Sequence, residues 1–431
     1  MKKITRGKYV FLLIFMCSLA YMVSYLTRYN YASVLVEIEL LDGFTKSSAS
    51  YPLTAMFIVY GSVQLLSGYL GDKISPEKIV LAGLIGTSMA NIAVPFCTTP
   101  IQMTVVWGIN GFAQSLMWPP IVKILTDYLT KDDYGKYIVY VLFGTGLGTI
   151  VVYSGAPAIL SVASWKGVFF VPAAIAVVMA IVWIITIRKI ERHTQEVEVC
   201  VSETASEKDG KKVKFTRAAI MLLVFIMLAN IMQGLLRDGS STYMPNYMKD
   251  VFGFDASLAI LTGIALPLGS KVLSLFTSAI HRRVLKNEAK TTSLFFIITT
   301  ACFAVLFVSD GFNPWLSIIT FTVANASTHA INFMYTTIAV PHFERFGKAS
   351  FVAGLINSSV YIGSALTTWC TPLVATHFGW TGVMLAWLIT SAVGLVICLA
   401  SIRPFAKKYN NFLCYIITAS VCKGRGGFFV F

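Results

Sequence analysis

The chain reads as an all-α integral membrane protein of twelve transmembrane helices arranged as two pseudo-symmetric six-helix bundles. Three observations predict this. Of 431 residues, 56% are hydrophobic and only 13% charged, whereas soluble domains run at roughly 45–50% apolar and about 25% charged. The apolar residues gather in twelve runs near the length that crosses a hydrocarbon core of roughly 30 Å, which is about 20 residues at about 1.5 Å each. Finally, 27 of the 34 Lys and Arg residues fall on one side of those runs and three on the other. Such a composition excludes a disordered chain, an ordinary soluble enzyme and a nucleic-acid-binding domain. The net charge of +14 lies between apolar runs and does not line one face, as a nucleic-acid partner would require.

Charges or Pro/Gly clusters bound each run. Span one covers 9–36, from Lys8 to Glu37, and span two covers 49–70, past Lys46 and up to Gly71-Asp72-Lys73. Span three covers 79–97 between Lys78 and Pro100, and span four covers 101–126, closed by Asp127. Span five (137–162) follows Lys136, and span six (166–187) ends at Arg188-Lys189. Span seven is 216–243, span eight 256–280 between Asp255 and Arg282, and span nine 291–309 between Lys290 and Asp310. Span ten is 314–340 between two prolines, span eleven 349–376 after Lys348, and span twelve 380–402 before Arg403.

Cytoplasmic loops retain positive charge, so the side holding 27 basic residues is the inner one and both termini lie there. Lys46, Lys166 and Lys249 fall outside, and Arg28, Lys123, Arg237 and Lys271 fall within spans. The basic start followed by an apolar run superficially resembles a signal peptide, but the run is too long and no cleavage-like site follows. Residues 189–215 are the one long polar stretch and cannot bury a core, so they read as a cytoplasmic linker between an N-terminal bundle (1–188) and a C-terminal bundle (216–403). Residues 404–431 form a cytoplasmic tail whose apolar patch, Phe412 to Val421, is too short to span.

The halves repeat each other. Ala20-Tyr-Met-Val-Ser-Tyr-Leu-Thr-Arg28 aligns with Ala229-Asn-Ile-Met-Gln-Gly-Leu-Leu-Arg237, and Trp165-Lys-Gly-Val168 aligns with Trp380-Thr-Gly-Val383, at offsets of 209 and 215. Two parallel halves related by an axis along the membrane normal make the major facilitator fold. Arg28 lies 20 residues after Lys8 and Arg237 lies 20 residues after Arg217, so both sit at one height, roughly 30 Å along their helices. A cation at that depth costs at least about 2.5–3.5 kcal/mol and normally faces a cavity or a partner. No acidic residue is expected to serve as that partner, because Asp238, next to Arg237, should point to another face. Two equivalent cations without counter-ions imply that the substrate is the counter-ion, and the guanidinium fork suits a phosphate or carboxylate.

Tyr25-Leu-Thr-Arg28-Tyr-Asn30, Trp118-Pro-Pro120, Trp165-Lys-Gly-Val168 and Leu235-Leu-Arg237-Asp-Gly239 followed by Met244-Pro245 resemble the organophosphate:phosphate antiporter family, which exchanges glycerol phosphate or hexose phosphates for inorganic phosphate. The likeness runs to about Arg403. It implies that Arg28 and Arg237 bind the phosphoryl group and that Tyr25, Tyr60 and Tyr361 line the site. The chain departs from the family where the span-two lysine is Gln64, the span-five histidine is Thr145 and the tyrosine preceding the second arginine is Gly234. The cationic pair is kept while its surroundings change.

Lys271 lies close to the repeat-related position of Gln64 and is expected to supply a third cation, whereas Lys123, near the end of span four, is expected to snorkel. His329, central in span ten, is a packing residue or a coupling residue. Gly144-Thr-Gly146-Leu-Gly148 follows no strand, so it is a close helix approach and not a nucleotide loop. Gly68-Tyr-Leu-Gly71-Asp72-Lys73 resembles the major facilitator loop signature, in which Asp72 would brace a closed cytoplasmic gate. The eight cysteines have neither metal-ligand nor disulfide spacing and read as buried small hydrophobes. No cofactor, metal or nucleic acid is expected, and no nucleophile–base constellation marks an enzyme.

The expectation is therefore a monomeric carrier in the cytoplasmic membrane that exchanges an organic phosphate ester for inorganic phosphate by alternating access. Two arginines roughly 10 Å apart repel by about 1.7 kcal/mol at an effective dielectric of 20, which opposes closure of an empty carrier and favours exchange. With no buried carboxylate expected, proton-coupled organic-anion symport is the alternative, and a non-transporting sugar-phosphate sensor is a further one.

Overall fold

Helices account for nearly all of the computed structural model, which describes residues 2–4, 7–70, 74–192, 194–196, 215–309, 311–340, 343 and 349–422. Each expected span has a helical counterpart. Span one is Gly7–Ser33 extended by Leu35–Ile38, span two Lys46–Leu70, and span three Pro76–Ala93 with a short turn after it. Span five is Lys131–Leu160, span six Gly167–Glu191, span seven Arg217–Phe252 and span nine Glu288–Ser309. Among the described residues, eight helices are long and apolar enough to cross a membrane, and the last of them, Phe351–Arg403, contains spans eleven and twelve.

Three spans are interrupted where the sequence predicts continuous helix. Span four breaks into Pro100–Ser115 and Trp118–Tyr128, because Pro119 and Pro120 remove two backbone donors and clash with the preceding turn. Span eight breaks at Gly263 into Ala256–Thr262 and Ala265–Ile280 and ends in a wide turn, His281–Leu285. Span ten, Pro314–Phe333, widens to a π turn at Met334–Ile338, a distortion common at functional positions. Spans eleven and twelve form one continuous element, Ala349–Cys422, bent at Gly379, whose φ of 66° is open to glycine and strained for other residues. That helix continues through the described part of the tail.

Lys2–Ile4 pairs antiparallel with Thr194–Glu196, so the start of the chain and the residues just past span six share one end of the molecule. Within the N-terminal half, a buried amide network ties spans one, three and four together. Asn30 donates to Asn91 (2.7 Å), Asn91 and Asn110 both donate to the Thr27 carbonyl (3.0 Å each), and Gln114 donates to the Thr27 hydroxyl (3.0 Å). This fixes the residue preceding Arg28. The C-terminal half uses the same device: Asn325 in span ten donates to the Arg237 carbonyl at 3.0 Å. Asn110 and Asn325 are 215 positions apart, as Trp165 and Trp380 are, so the internal repeat extends to how the two arginines are held.

The halves meet along spans two and eleven and along spans five and eight. Spans two and eleven touch where the Ser358 hydroxyl donates to the Gly61 carbonyl (2.6 Å), and a lateral cavity of about 620 Å³ lies between them, lined by Thr54, Phe57, Gly61, Tyr361, Ala365 and Trp369. At the end remote from the ribbon, Lys46 pairs with Asp250, Asn246 donates to Glu39 (2.8 Å), Tyr243 donates to Ser50 (3.0 Å) and Tyr153 donates to the Ser241 carbonyl (3.0 Å). Each of these bonds joins one half to the other, so this end is sealed.

Candidate functional site

Arg28 stands on span one, 6% exposed, and its Nε has no partner among the described residues. Aromatic rings surround it instead. The guanidinium carbon lies 4.6 Å from the Tyr60 ring centre, 5.5 Å from Tyr361, 5.7 Å from Phe57 and Tyr29, and 6.0 Å from Tyr25. Ring faces attract a cation within about 6 Å, with up to 2 kcal/mol or more per contact when water is excluded. They also leave all five N–H donors available to an anion. Tyr60 and Tyr361, from opposite halves, contact each other with centroids 4.4 Å apart, and Gln64 donates to the Tyr60 hydroxyl at 3.5 Å. Tyr25, Tyr60 and Tyr361 thus gather around Arg28, and Gln64 joins them through Tyr60. Tyr29, Phe57 and Tyr21, which stacks on Trp118 with centroids 4.8 Å apart, were not expected. Tyr21, Tyr25 and Tyr29 recur every four residues, a helical stripe that the sequence does display.

Arg237 is placed differently, and here the expectation fails. Its Nε donates to Asp238 Oδ1 at 2.8 Å and its Nη2 donates to Oδ2 at 2.7 Å, in a two-pronged ion pair with the arginine 9% and Asp238 2% exposed. Adjacent side chains on a helix ordinarily diverge, but the long arginine folds back along the helix and reaches its neighbour. Ser364 of span eleven donates to the same Oδ2 and anchors the carboxylate. The two arginines are therefore not equivalent, and Asp238 is a buried carboxylate inside a span. For Arg237 the predicted absence of a counter-ion is overturned, and the argument against proton coupling drawn from the absence of a buried carboxylate falls with it.

The two cations nevertheless face common ground. Tyr25, Tyr29 and Tyr361 each lie within electrostatic reach of Arg28 and of Arg237, and Asp238 lies within reach of Arg28. Lys271 of span eight crosses to span five, donating to the Leu142 carbonyl (3.0 Å) and the Thr145 hydroxyl (3.1 Å). Two expected site residues, Lys271 and Thr145, are thereby joined across the halves. A side chain at Gly146 would collide with Lys271, and side chains at Gly144 and Gly148 would collide with the span-one backbone at Ser18 and Met22. The glycine run thus serves the close approach its spacing predicts. His329 lies within electrostatic reach of Arg237, Lys271 and Asp238 and makes no hydrogen bond among the described residues. Asp72, the expected gating residue, falls outside the described residues.

Gly234, where the resemblance predicts a tyrosine, has a packing reason. A side chain there would sit 2.1 Å from the Val360 carbonyl oxygen, and one at Gly363 would sit 2.0 Å from the Ile231 carbonyl oxygen. Spans seven and eleven cross backbone to backbone beside Arg237, and no ring fits between them.

Residues 17–368 match the profile of the Major Facilitator Superfamily. The chain is 22% identical over 410 residues to a probable hexose phosphate transport protein of Chlamydia trachomatis, covering 88% of each chain. It is 24% identical over 246 residues to the glycerol-3-phosphate transporter of Bacillus subtilis, covering 53% of this chain and 55% of that one. Its fold resembles the crystal structure of a bacterial homologue of the human lysosomal transporter Spinster, with a TM-score of 0.76 at 14% identity over 94% of this chain and 99% of that one.

Proposed function

Since this chain belongs to the Major Facilitator Superfamily, whose members are multi-pass membrane transporters and not enzymes, we propose that it exchanges an organic phosphate ester of the sugar-phosphate or glycerol-phosphate class for inorganic phosphate by alternating access. One observation carries this reading: a buried arginine from each half, both within electrostatic reach of the same three tyrosines. The names of the hexose phosphate and glycerol-3-phosphate relatives support the substrate class. Arg28 offers an open fork to a phosphoryl group, Arg237 offers Nη1, and Tyr25, Tyr60 and Tyr361 supply hydroxyls and ring faces. Gln64 and the Lys271–Thr145 pair bear on the organic group or on a second phosphate oxygen.

In this reading an anion between the arginines draws the halves together, and the loaded carrier rocks about the site. Both termini and the linker face the cytoplasm, so the sealed end faces outward. Proteoliposomes test the proposal. Uptake of labelled phosphate ester that requires inorganic phosphate inside supports exchange. Uptake without internal phosphate, driven by an imposed pH gradient, supports proton-coupled organic-anion symport, a second reading favoured by the buried Asp238 within electrostatic reach of His329. Binding without flux supports a sensor.

A further inference from the structure

Arg237 has two of its three nitrogens committed within the chain. Nε and Nη2 form one flat edge of the guanidinium, the edge a phosphate or carboxylate would engage with two oxygens, and Asp238 occupies it. Nη1 has no partner among the described residues. Asp238 in turn has other support: the Ser364 hydroxyl binds Oδ2, and Arg28 lies within electrostatic reach. The carboxylate is therefore not dependent on Arg237 alone. Among the described residues Arg28 has no such neighbour and is held by rings.

We propose that Asp238 is a tethered counter-ion that occupies the anion-binding edge of Arg237 in the empty carrier and is displaced from it by the anionic substrate. The inference rests on reading Arg237 as a substrate ligand and deepens that reading. An arriving anion meets Arg28 first, touches the free Nη1 of Arg237, and then takes the Nε–Nη2 edge as Asp238 withdraws onto Ser364. The exchange swaps one anionic partner of a buried cation for another, so Arg237 is never left uncompensated. It also provides a route for release, because Asp238 retakes the edge as the substrate leaves. Asp238 thus sets affinity and turnover in opposite directions. Among the described residues around the arginines it lowers the net charge by one, which favours substrates able to place two oxygens on Arg237 over those with a single weak acceptor.

The test uses the purified full chain in nanodiscs and the same protein in proteoliposomes, with inorganic phosphate, a hexose phosphate and a monocarboxylate as probes. Asp238→Asn should bind phosphate and hexose phosphate about tenfold more tightly, the scale of one hydrogen bond to a charged group. Its exchange rate at saturating substrate should fall, giving a lower KM and a lower kcat together. Asp238→Ser, which also removes the competing carboxylate, should tighten binding in the same direction; if Asp238→Asn fails to fold, this variant decides by the same criterion. A purely structural role for Asp238 predicts weaker binding in both variants. Wild-type binding with unchanged or weaker affinity in the variants overturns this inference alone, and wild-type protein that binds none of the three anions overturns the site reading as well.

Discussion

Arg28 owes its position to neighbours and not to a counter-ion. The amide network clamps Thr27, the next residue presents its guanidinium to five rings, and those rings stabilise charge without consuming N–H donors. Arg28→Lys keeps the charge but loses the planar fork and the stacking area. It should weaken phosphate binding about tenfold, as measured by titration calorimetry, with thermal stability near that of the wild type. Both arginines were legible in the sequence because a cation twenty residues into an apolar run is rare and because it recurs in the other half. The Arg237–Asp238 pair was not legible, since adjacency on a helix argues against contact and only the fold-back of a long side chain permits it. Tyr29 and Phe57 were missed for another reason. Aromatic residues are common in such spans, and only their convergence on Arg28 distinguishes these two.

The spans themselves were the most legible elements, because an apolar run of about twenty residues has few alternatives. Their breaks were less so. The Trp118-Pro-Pro120 interruption follows from proline chemistry, whereas the turn at Gly263 and the π turn at Met334–Ile338 depend on packing between distant elements. Packing also explains Gly234 and Gly363. Adding one methyl at either forces span seven away from span eleven, so Gly234→Ala should destabilise by about 1–3 kcal/mol and lower the apparent melting temperature in scanning fluorimetry. The sealed end offers a second prediction. Glu39, just beyond span one, is pushed up to about 7, chiefly by burial and further by Asp250, while Lys46, Lys249 and the Asn246 hydrogen bond act the other way. In an opened carrier Glu39 returns toward the ordinary glutamate value near 4.3. Closure therefore takes up a proton between those two values, and lowering the pH from about 8 to about 6 should favour the closed end. Spin labels placed across this end should report that shift, and Glu39→Gln should abolish most of it.

At the scale of the whole molecule, two halves with one topology carry unequal sites. The N-terminal half presents an uncommitted arginine in an aromatic cage, and the C-terminal half presents an arginine already paired with Asp238. That asymmetry lowers the repulsion expected of an empty site, since the C-terminal cation is neutralised within its own helix, and it lets the halves pack at the sealed end without a bound anion. The lock at Lys46–Asp250 and Asn246–Glu39 draws one partner from each half, so opening must break both pairs. The repeat, the six-plus-six division and the two arginines were all readable from residue spacing; the asymmetry required the side chains. Exchange by this route requires that the two arginines hold the same anion. A double-mutant cycle on the binding of inorganic phosphate, with Arg28→Gln, Arg237→Gln and the double variant, tests it most directly. A shared anion predicts a large loss in each single variant and a double variant little worse than either, and wild-type affinity in either single variant would contradict it.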